Sequence, residues 1–327
     1  MKIGEFRLPN NVILAPMAGV TDLPFRKLCR TLGVGLVVGE MTSSSPQLKA
    51  TRKSLLRGVH LEEPEPRSVQ IVGWDPRMMA ESARYNVDQG ASIVDINMGC
   101  PAKKVCRKLA GSALLGDEVQ VGRILESVVK AVSAPVTLKI RTGLDPAHRN
   151  AVSISRLAES CGIQALAIHG RTRACLYKGK AEFDTIRRVK EAVSIPVIAN
   201  GDITTVEEAR RVIDLTGVDA IMIGRGAHGA PWIPGGIARS LRYSSQVSSL
   251  TLESQRRIVI GHLNEIYSFY GAFQGVRIAR KHIKWYVAAY PDLADFRRTV
   301  IRADSPGQQC NLISDFYFNL QDALKAA

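Results

Sequence analysis

The residue best placed for chemistry is a cysteine in a Gly-Cys-Pro turn. Cys100 follows the apolar run 93–97 and precedes Pro101 and the cationic pair Lys103-Lys104. A loop residue just beyond a strand end is positioned to act on a bound substrate. Cys29 lies in an apolar helical pattern instead, which is typical of a thiol that packs in the core. We therefore take Cys100 as the candidate catalytic residue.

The other apolar runs also end in groups that can bind a ligand. Polar strand ends can reflect nothing more than the approach to solvent. Uncharged amides, a lysine and a histidine at the same strand ends indicate a shared ligand better. Strand by strand, the groups are Pro16-Met17-Ala18, Glu40-Met41, Gln70, Asn97 with Cys100, Lys139 with Arg141, His169 with Arg171, Asn200-Gly201-Asp202, and Gly224-Arg225.

The segment 224–229 matches the pattern G-x-G-x-x-G, which suggests a dinucleotide site. A Rossmann unit would need a further strand and an acidic residue about 20 positions on. A proline-containing turn and a serine-rich stretch follow here instead. On the last strand of a barrel, these glycines let backbone N–H groups approach a single phosphate, and Gly201 completes the cradle. Lys139 and Gln70 then face the heterocycle that carries the phosphate.

These groups must be positioned by a parallel β/α framework. Short apolar runs recur at intervals of about 25 to 40 residues and alternate with amphipathic segments. Eight runs that are apolar on both faces, with no antiparallel edge, favour a closed (β/α)8 TIM barrel over an open doubly wound sheet. Helix starts are predicted at Asp75-Pro76, Ser153 and Thr204-Thr205. The predicted strands are 12–15, 36–40, 68–72, 93–97, 136–140, 165–169, 197–200 and 220–223.

The character of the chain changes after about residue 242. Serines at 244, 245, 248, 249 and 254 predict a linker over 243–254. Beyond it, helical periodicity without strands predicts an all-α domain over 255–327, following a barrel domain over 1–242. From residue 237 onward the chain has 12 basic against 7 acidic residues and most of its aromatic side chains.

The formal net charge of +14 indicates a polyanionic partner. A basic surface that is merely solvated is the alternative. In the C-terminal part, cations alternate with Trp285, Tyr286, Tyr290 and Phe296, a pattern that suits phosphate contacts of a nucleic acid. Most of these aromatic side chains are expected in the helical core. The candidate substrate-binding cations are Arg277, Arg280, Lys281, Lys284 and Arg298, with Arg297 beside them.

The composition is that of an ordinary globular protein, with 46% hydrophobic and 23% charged residues. No apolar run approaches the roughly 18 residues that span a bilayer, and no cleavable leader opens the chain. We therefore expect a cytoplasmic protein, and a monomer. The six cysteines show neither a C-x-x-C pair nor Cys/His ligand spacing, so we expect reduced thiols and no metal.

Together these residues resemble the tRNA-dihydrouridine synthase family, over essentially the whole chain. The segments 97–105 and 277–282 look like bacterial subgroup B of that family. The carrying motifs are Ala15-Pro16-Met17-Ala18-Gly19-Val20-Thr21-Asp22, Asn97-Met98-Gly99-Cys100-Pro101-Ala102-Lys103-Lys104-Val105, Leu138-Lys139-Ile140-Arg141, Ile168-His169-Gly170-Arg171-Thr172, Ala199-Asn200-Gly201-Asp202, Ile223-Gly224-Arg225-Gly226 and Arg277-Ile278-Ala279-Arg280-Lys281-His282.

The resemblance implies reduction of the C5=C6 bond of a D-loop uridine in tRNA, at position 17. NADPH would reduce a bound flavin mononucleotide (FMN), which passes a hydride to C6, and Cys100 would protonate C5. At the same mouth we expect Asn97, Arg141 and Arg171 to contact the substrate. The implied FMN ligands are Pro16, Met17, Ala18, Gln70, Lys139, His169, Asn200, Gly201, Asp202, Gly224 and Arg225.

Two other functions stay open on the sequence alone. An FMN barrel that acts on a small molecule, such as a dihydroorotate dehydrogenase or an ene-reductase, explains the phosphate cradle but leaves the basic C-terminal part unused. A catalytically silent RNA-binding barrel leaves Cys100, Lys139 and His169 without a role. The visible spectrum of the purified protein separates the silent barrel from the flavoenzymes.

Overall fold

The computed structural model describes residues 1–45, 47, 51–243, 250–288 and 294–326. The chain divides into two compact units. One comprises Met1–Gly226 with Trp232–Ser245, and the other comprises Ala227–Pro231 with Gln246–Ala327.

The first unit contains the predicted barrel, which is confirmed. Eight parallel strands close in sequence order, with the last paired to the first, and each strand overlaps a predicted run. A two-stranded antiparallel hairpin, which the sequence did not predict, precedes them. The hairpin is β1 (Lys2–Ile3) and β2 (Phe6–Arg7), and the barrel is β3 (Val12–Leu14), β4 (Leu36–Ser43), β5 (Ser68–Val72), β6 (Ile93–Met98), β7 (Val136–Arg141), β8 (Leu166–His169), β9 (Val197–Asn200) and β10 (Ala220–Ile223).

Helices follow the barrel strands in the expected β then α order. Short 3-10 turns lie at Gly111–Gly116 and Arg225–Ala227. The helices of this unit are α1 (Leu23–Thr31), α2 (Arg52–Leu55), α3 (Pro76–Asp88), α4 (Lys103–Cys106), α5 (Glu118–Val129), α6 (Ala151–Ser160), α7 (Asp184–Ala192), α8 (Val206–Thr216) and α9 (Trp232–Tyr243).

Two of the three predicted helix starts are confirmed by their caps. The Asp75 carboxylate accepts from the backbone N–H of Met78, and Thr205 with Glu208 forms a capping box. The start predicted at Ser153 is wrong, because α6 begins at Ala151. The Ser153 hydroxyl donates to the carboxylate of Glu118 on α5 rather than capping its own helix.

The barrel strands sort their side chains by alternation. On β6, Ile93 belongs to the apolar cluster inside the barrel, whereas Val94 and Ile96 pack in the larger cluster that includes the surrounding helices. The same alternation assigns Asp95 and Asn97 to the interior, nearer the carboxyl end of the strand. The barrel is therefore apolar at one end and polar at the end where the site residues stand.

The second unit is helical, which confirms the predicted all-α C-terminal part. Its helices are α10 (Leu252–Tyr270), α11 (Ala272–Tyr286), α12 (Ala294–Arg302) and α13 (Pro306–Ala326). Thr251 caps α10 by accepting from the N–H of Ser254, so residues 252–254 are helical, although the predicted linker included them. Residues 244–249 of that predicted linker lie outside the described residues.

A short segment of the predicted barrel domain belongs to the helical unit. Within Ala227–Pro231, the His228 ring stacks on Trp285 of α11 with centroids 4.0 Å apart. A Cβ at Gly229 would lie 2.3 Å from the Trp285 carbonyl oxygen, so the close approach requires glycine. The boundaries at 242 and 255 stay predictions. No helix in the described part of the chain has the length and low polarity needed to cross a bilayer.

Candidate active site at the carboxyl ends of the barrel strands

Lys139 on β7 is a buried cation at the barrel mouth. Its Nζ donates to Asn200 Oδ1 at 3.0 Å, and Asn200 Nδ2 donates to the Met222 carbonyl at 2.8 Å. The two bonds fix which end of the Asn200 amide faces Lys139. Burial lowers the pKa of Lys139 to about 8, while the Asp95 carboxylate opposes that shift. A bound anion or carbonyl oxygen here would meet a positively charged donor.

Cys100 is held by the backbone of its own turn. Asn97 Oδ1 accepts from the N–H of Cys100 at 2.9 Å and from that of Gly99 at 3.2 Å. Burial raises the pKa of the Cys100 thiol, and this outweighs the cations Lys139 and Arg141 nearby. A thiol that keeps its proton at neutral pH suits a proton donor better than a nucleophile.

Cys106, whose role the sequence left open, lies next to this turn. Its Sγ is 3.5 Å from the Cys100 carbonyl oxygen and 3.7 Å from Ser112 Oγ. The Ser112 hydroxyl also donates to the Cys100 carbonyl, at 2.9 Å. Cys106 therefore contacts the turn at its backbone.

His169 on β8 is a neutral imidazole. Burial, together with Lys139, Arg141 and other cations, lowers its pKa to about 2. Arg171 Nη1 lies 3.4 Å from His169 Nε2. Since a guanidinium can only donate, Nε2 accepts and Nδ1 carries the hydrogen. His169 is thus a neutral N–H donor in a cationic neighbourhood.

Arg141, a predicted substrate contact, is only 1% exposed. Its guanidinium donates to the carbonyls of Gly99 at 2.8 Å, Thr172 at 2.8 Å and Leu176 at 2.7 Å. It therefore joins the turn that carries Cys100 to the loop after β8, a role the sequence did not predict.

Arg171 has a similar environment and is 3% exposed. It donates to the carbonyls of Lys178 at 3.2 Å and Gly179 at 2.6 Å and pairs with the Asp202 carboxylate at 2.7 Å. Substrate contact by Arg141 or Arg171 stays a prediction. In the structure, both guanidinium groups donate to backbone carbonyls of loops at the mouth and so help to hold those loops in place.

Glycines at the ends of β9 and β10 open the backbone to a ligand. Gly201 has φ of 130°, and a Cβ there would lie 2.7 Å from Ala181 Cβ. A Cβ at Gly226 would lie 2.7 Å from the Ile203 carbonyl oxygen. Gly224 stands beside Met17, where a Cβ would be 3.5 Å from Sδ. The predicted cradle and the predicted loop after β3 are therefore neighbours.

Asp202, predicted to hold the phosphate, has a carboxylate that is already engaged. It accepts from Arg171, from the N–H of Ala181 at 2.8 Å and from Arg225 at 3.4 Å. A second anion would be repelled by this carboxylate, so the group it can offer a phosphate is its backbone N–H. Arg225 is about half exposed and can therefore meet an anion.

The loop after β3 is fixed from two sides. The Met17 N–H donates to Thr21 Oγ1 at 2.8 Å, and the Gly19 N–H donates to Glu40 Oε2 at 2.5 Å. Glu40 is buried and also pairs with Arg57 at 2.7 Å. Pro16 and Met17 are half-buried and Ala18 is exposed. Ligand binding by this loop stays a prediction.

Tyr177, which was not predicted from the sequence, presents an exposed ring in the loop after β8. The guanidinium carbons of Arg141 and Arg225 lie 5.3 and 5.2 Å from its ring centroid. The ring is 54% exposed and lies 6.2 Å from that of His169. An aromatic side chain within a run of glycine and lysine was the available signal. Such a face can stack on a heterocycle.

The predicted cations of the helical unit differ in exposure. Arg277, Lys284 and Arg298 are exposed, and Lys281 is half-buried. Arg280 is half-buried and pairs with Asp304 at 3.4 Å. Arg297 donates to the carbonyls of Val287 at 3.1 Å and Ala288 at 3.4 Å. Tyr290 lies outside the described residues.

The described residues contain no group of three or more His, Cys, Asp or Glu side chains arranged to hold a metal ion. The mouth instead combines glycine-lined backbone, a buried ammonium, a neutral imidazole, amide groups and a protonated thiol.

Comparison with known proteins places this geometry in context. The sequence model of a family described as dihydrouridine synthase (Dus) matches residues 13–324. The chain is 56% identical over 322 residues to the tRNA-dihydrouridine synthase B of Pseudomonas aeruginosa, covering 98% of this chain and 97% of that protein. It is 56% identical over 317 residues to the protein of that name from Xanthomonas campestris, covering 97% and 96%.

A solved structure described as TcOYE with pHBA is similar in fold. Its TM-score is 0.53 at 14% identity, covering 78% of this chain and 94% of that one.

Proposed function

The chain belongs to the dihydrouridine synthase family, and from that premise we propose that it reduces the C5=C6 bond of a D-loop uridine in tRNA. The uridine is that at position 17, the flavin is FMN, and NADPH is the reductant. The barrel over residues 1–242 carries the chemistry, and the helical domain over 255–327 binds the tRNA.

One observation carries the proposal: a proton-retaining thiol and a buried ammonium stand at the ends of adjacent strands. Asn97 on β6 is paired with Lys139 on β7, and Cys100 follows Asn97 by three residues. Reduction of a carbon–carbon double bond needs a hydride and a proton. The thiol provides the proton, and the cationic mouth favours an anionic cofactor that provides the hydride.

The residues present fit FMN. The backbone at Gly201 and Gly226 is open where a Cβ would clash, and Arg225 is half exposed beside it, as a phosphate requires. Lys139 offers a positive charge to a ring carbonyl, and Gln70 offers an amide group. The bound flavin supplies the hydride chemistry.

The protein supplies orientation and one acid. Asn97 and Arg141 hold the turn on both sides of Cys100, through the N–H of Cys100 and the carbonyl of Gly99. Cys100 keeps its proton at Sγ until C5 of the uracil accepts it, after which solvent restores the thiol. Burial and the surrounding cations keep His169 neutral, so its Nδ1–H can donate to a ligand without adding charge beside Lys139.

The exposed cations of α11 and α12 suit the rest of the tRNA. Arg277 and Lys284 are exposed on α11, two helical turns apart on one face, and Arg298 is exposed on α12. Cations in this setting neutralise phosphates without reading base sequence. The target uridine has to leave its stack to enter the mouth, which is easiest in a loop of the tRNA.

The proposal is tested by separating the two half-reactions. Purified protein should show a flavin spectrum that NADPH bleaches without oxygen, and unmodified tRNA should then restore the oxidised spectrum. Orotate and a simple enone serve as competing oxidants. Reoxidation by either of these, and not by tRNA, would assign the chain to the small-molecule flavoenzymes.

A further inference from the structure

An acidic residue without an assigned role lies inside the barrel beneath the candidate site. Asp95 on β6 is 4% exposed. Its Oδ1 accepts from Thr137 Oγ1 at 2.6 Å, and its Oδ2 accepts from Gln70 Nε2 at 2.6 Å. A buried carboxylate is costly unless its oxygens are satisfied. Here they are satisfied by one hydroxyl and one amide.

The amide partner continues the chain of hydrogen bonds upward to the cysteine. Gln70 Oε1 accepts from Asn97 Nδ2 at 2.7 Å. Asn97 Oδ1 in turn accepts from the backbone N–H of Cys100 at 2.9 Å. Every bond in this relay is donated in the direction of Asp95.

The direction of the relay follows from the carboxylate at its base. Both Asp95 oxygens accept, so Gln70 turns its NH2 group toward Asp95 and its oxygen toward Asn97. Asn97 must then turn its own oxygen toward the turn of Cys100. Reversal of Gln70 would set two NH2 groups against each other and force Asn97 to reverse as well. The Asn97 NH2 group would then face the backbone N–H of Cys100, and the anchor of the turn would be lost.

We propose that Asp95 is a positioning residue which, through the Gln70 and Asn97 amides, sets the place of the Cys100 thiol and the groups that the amides present to the mouth. The meaning of this for catalysis rests on the proposed function, whereas the relay itself does not. If Asp95 acted only as the counter-ion of Lys139, its loss would leave Cys100 in place. The Lys139 ammonium donates to Asn200 and not to a member of the relay.

The decisive variant is Asp95→Asn, which keeps the shape of the side chain and replaces one accepting oxygen with a donating NH2 group. If the introduced carboxamide turns its NH2 group toward Gln70, both amides of the relay reverse and the turn loses its anchor at the N–H of Cys100. If it turns its oxygen toward Gln70, the relay is preserved, because the Thr137 hydroxyl can rotate to accept. The variant therefore populates both arrangements. Thr137→Val is the matched control, since it removes the hydroxyl and leaves the bond from Gln70 to the carboxylate.

The readout is the rate of iodoacetamide labelling of Cys100 in the flavin-loaded protein, resolved by peptide mass spectrometry. Cys175 is an internal standard, because it is held by Thr172 at 3.0 Å and not by the relay. We expect D95N to label Cys100 several-fold faster than wild type with Cys175 unchanged, and T137V to match wild type. A wild-type rate at Cys100 both in D95N and in Gln70→Met, which cuts the relay at its next member, overturns the proposal.

A double variant tests whether Asp95 acts through Asn97. In an Asn97→Ala background the turn has already lost its anchor, so D95N should add no further change in labelling. Fully additive changes contradict the relay and favour the counter-ion role. If D95N does not fold, Gln70→Met cuts the relay at its next member and should accelerate Cys100 labelling in the same way. Unchanged labelling there also rejects the relay.

Turnover separates this inference from the proposed function. A displacement of about 1 Å at a reacting group can cost on the order of 10²-fold in rate. We expect D95N to slow dihydrouridine formation by about that factor while flavin reduction by NADPH stays near wild type. A wild-type protein that forms no dihydrouridine overturns the function and leaves the labelling result standing. Normal turnover in D95N overturns the positioning role alone.

Discussion

The barrel mouth and the helical unit both carry cations, but they hold them in opposite ways. Lys139, Arg141 and Arg171 are 9%, 1% and 3% exposed and are oriented by hydrogen bonds to named oxygens. Arg277 and Lys284 on α11 are exposed. The net charge of +14 therefore includes both buried and exposed cations, which the amino-acid composition does not distinguish.

Buried and exposed cations contribute to function in different ways. Buried cations act at short range in a medium of low dielectric, so salt screens them little. They can set the orientation of loops and the charge next to a bound ring. Exposed cations act on a polyanion mainly by releasing its counterions, and their effect falls steeply with salt. Chemistry and affinity should therefore respond to different substitutions.

The largest effect is expected from the thiol in the mouth. Cys100→Ala should slow dihydrouridine formation by on the order of 10²- to 10⁴-fold, the usual contribution of one positioned acid. Bound flavin and its reduction by NADPH should persist, because Cys100 is not one of the predicted flavin ligands. Cys106→Ala is the matched control and should stay near wild type. Turnover of C100A at the wild-type rate would assign the proton to another group.

The next effect concerns the buried cation. Lys139→Ala removes a charged hydrogen bond worth about 1.5–3 kcal/mol, which is a factor of about 10 to 100 in flavin affinity. Fluorescence titration of the flavin-free protein measures this directly. Because Lys139 is buried, the ratio of the flavin affinities of wild type and K139A should hardly change between low and high salt. His169→Ala should also weaken flavin retention or slow its reduction. Unchanged retention and reduction in both variants would remove them from the cofactor site.

The exposed population should show the reverse behaviour. Replacing Arg277, Lys284 and Arg298 by Gln should weaken tRNA binding and flatten its log–log salt dependence by roughly 0.7 to 0.9 for each lost phosphate contact. Flavin reduction by NADPH should not change. Arg280 should contribute less than these three, because it is half-buried whereas they are exposed.

Arg77→Gln is the control for this set, since Arg77 is an exposed cation of the barrel unit paired with Glu81. Tight binding with an undiminished salt slope in the triple variant would move the polyanion surface elsewhere. The barrel loops around Lys103 and Lys104 would then be the next candidates.

The smallest expected effect is a difference between two thiols in the pH dependence of their labelling. It involves no change in turnover. Burial raises the pKa of Cys100, whereas the Thr172 hydroxyl lowers the pKa of Cys175. Since only the thiolate reacts, labelling of Cys175 should reach half its maximal rate at a lower pH than labelling of Cys100. Mass spectrometry after brief iodoacetamide treatment across about pH 6 to 10, around the usual thiol pKa of about 8.5, gives both profiles. Faster labelling of Cys100 at neutral pH would contradict its role as a proton-retaining acid.

The sequence was sufficient for the barrel because its strands are buried on both faces and appear as continuous apolar runs. It was also sufficient to bring Gln70, Asn97 and Lys139 to one mouth, since parallel strands end together. The hairpin β1–β2 was missed because two-residue strands carry no periodicity.

Contacts between residues far apart in sequence also could not be predicted. The backbone bonds of Arg141, the stacking of His228 on Trp285 and the place of Asp95 in a relay leave no local pattern. An acidic residue within an apolar strand was a signal of its own, and it could have directed attention to Asp95.

The central claim is that the barrel saturates a uridine in tRNA. The most direct measurement incubates an unmodified tRNA transcript with the flavin-loaded protein and NADPH, digests it, and locates by mass spectrometry any uridine that has gained two hydrogen atoms. We expect one such uridine, in the D-loop at position 17, formed by wild type and by C106A but not appreciably by C100A. Flavin that is reduced by NADPH and reoxidised by a small enone or orotate, with no saturated uridine in the tRNA, would contradict it.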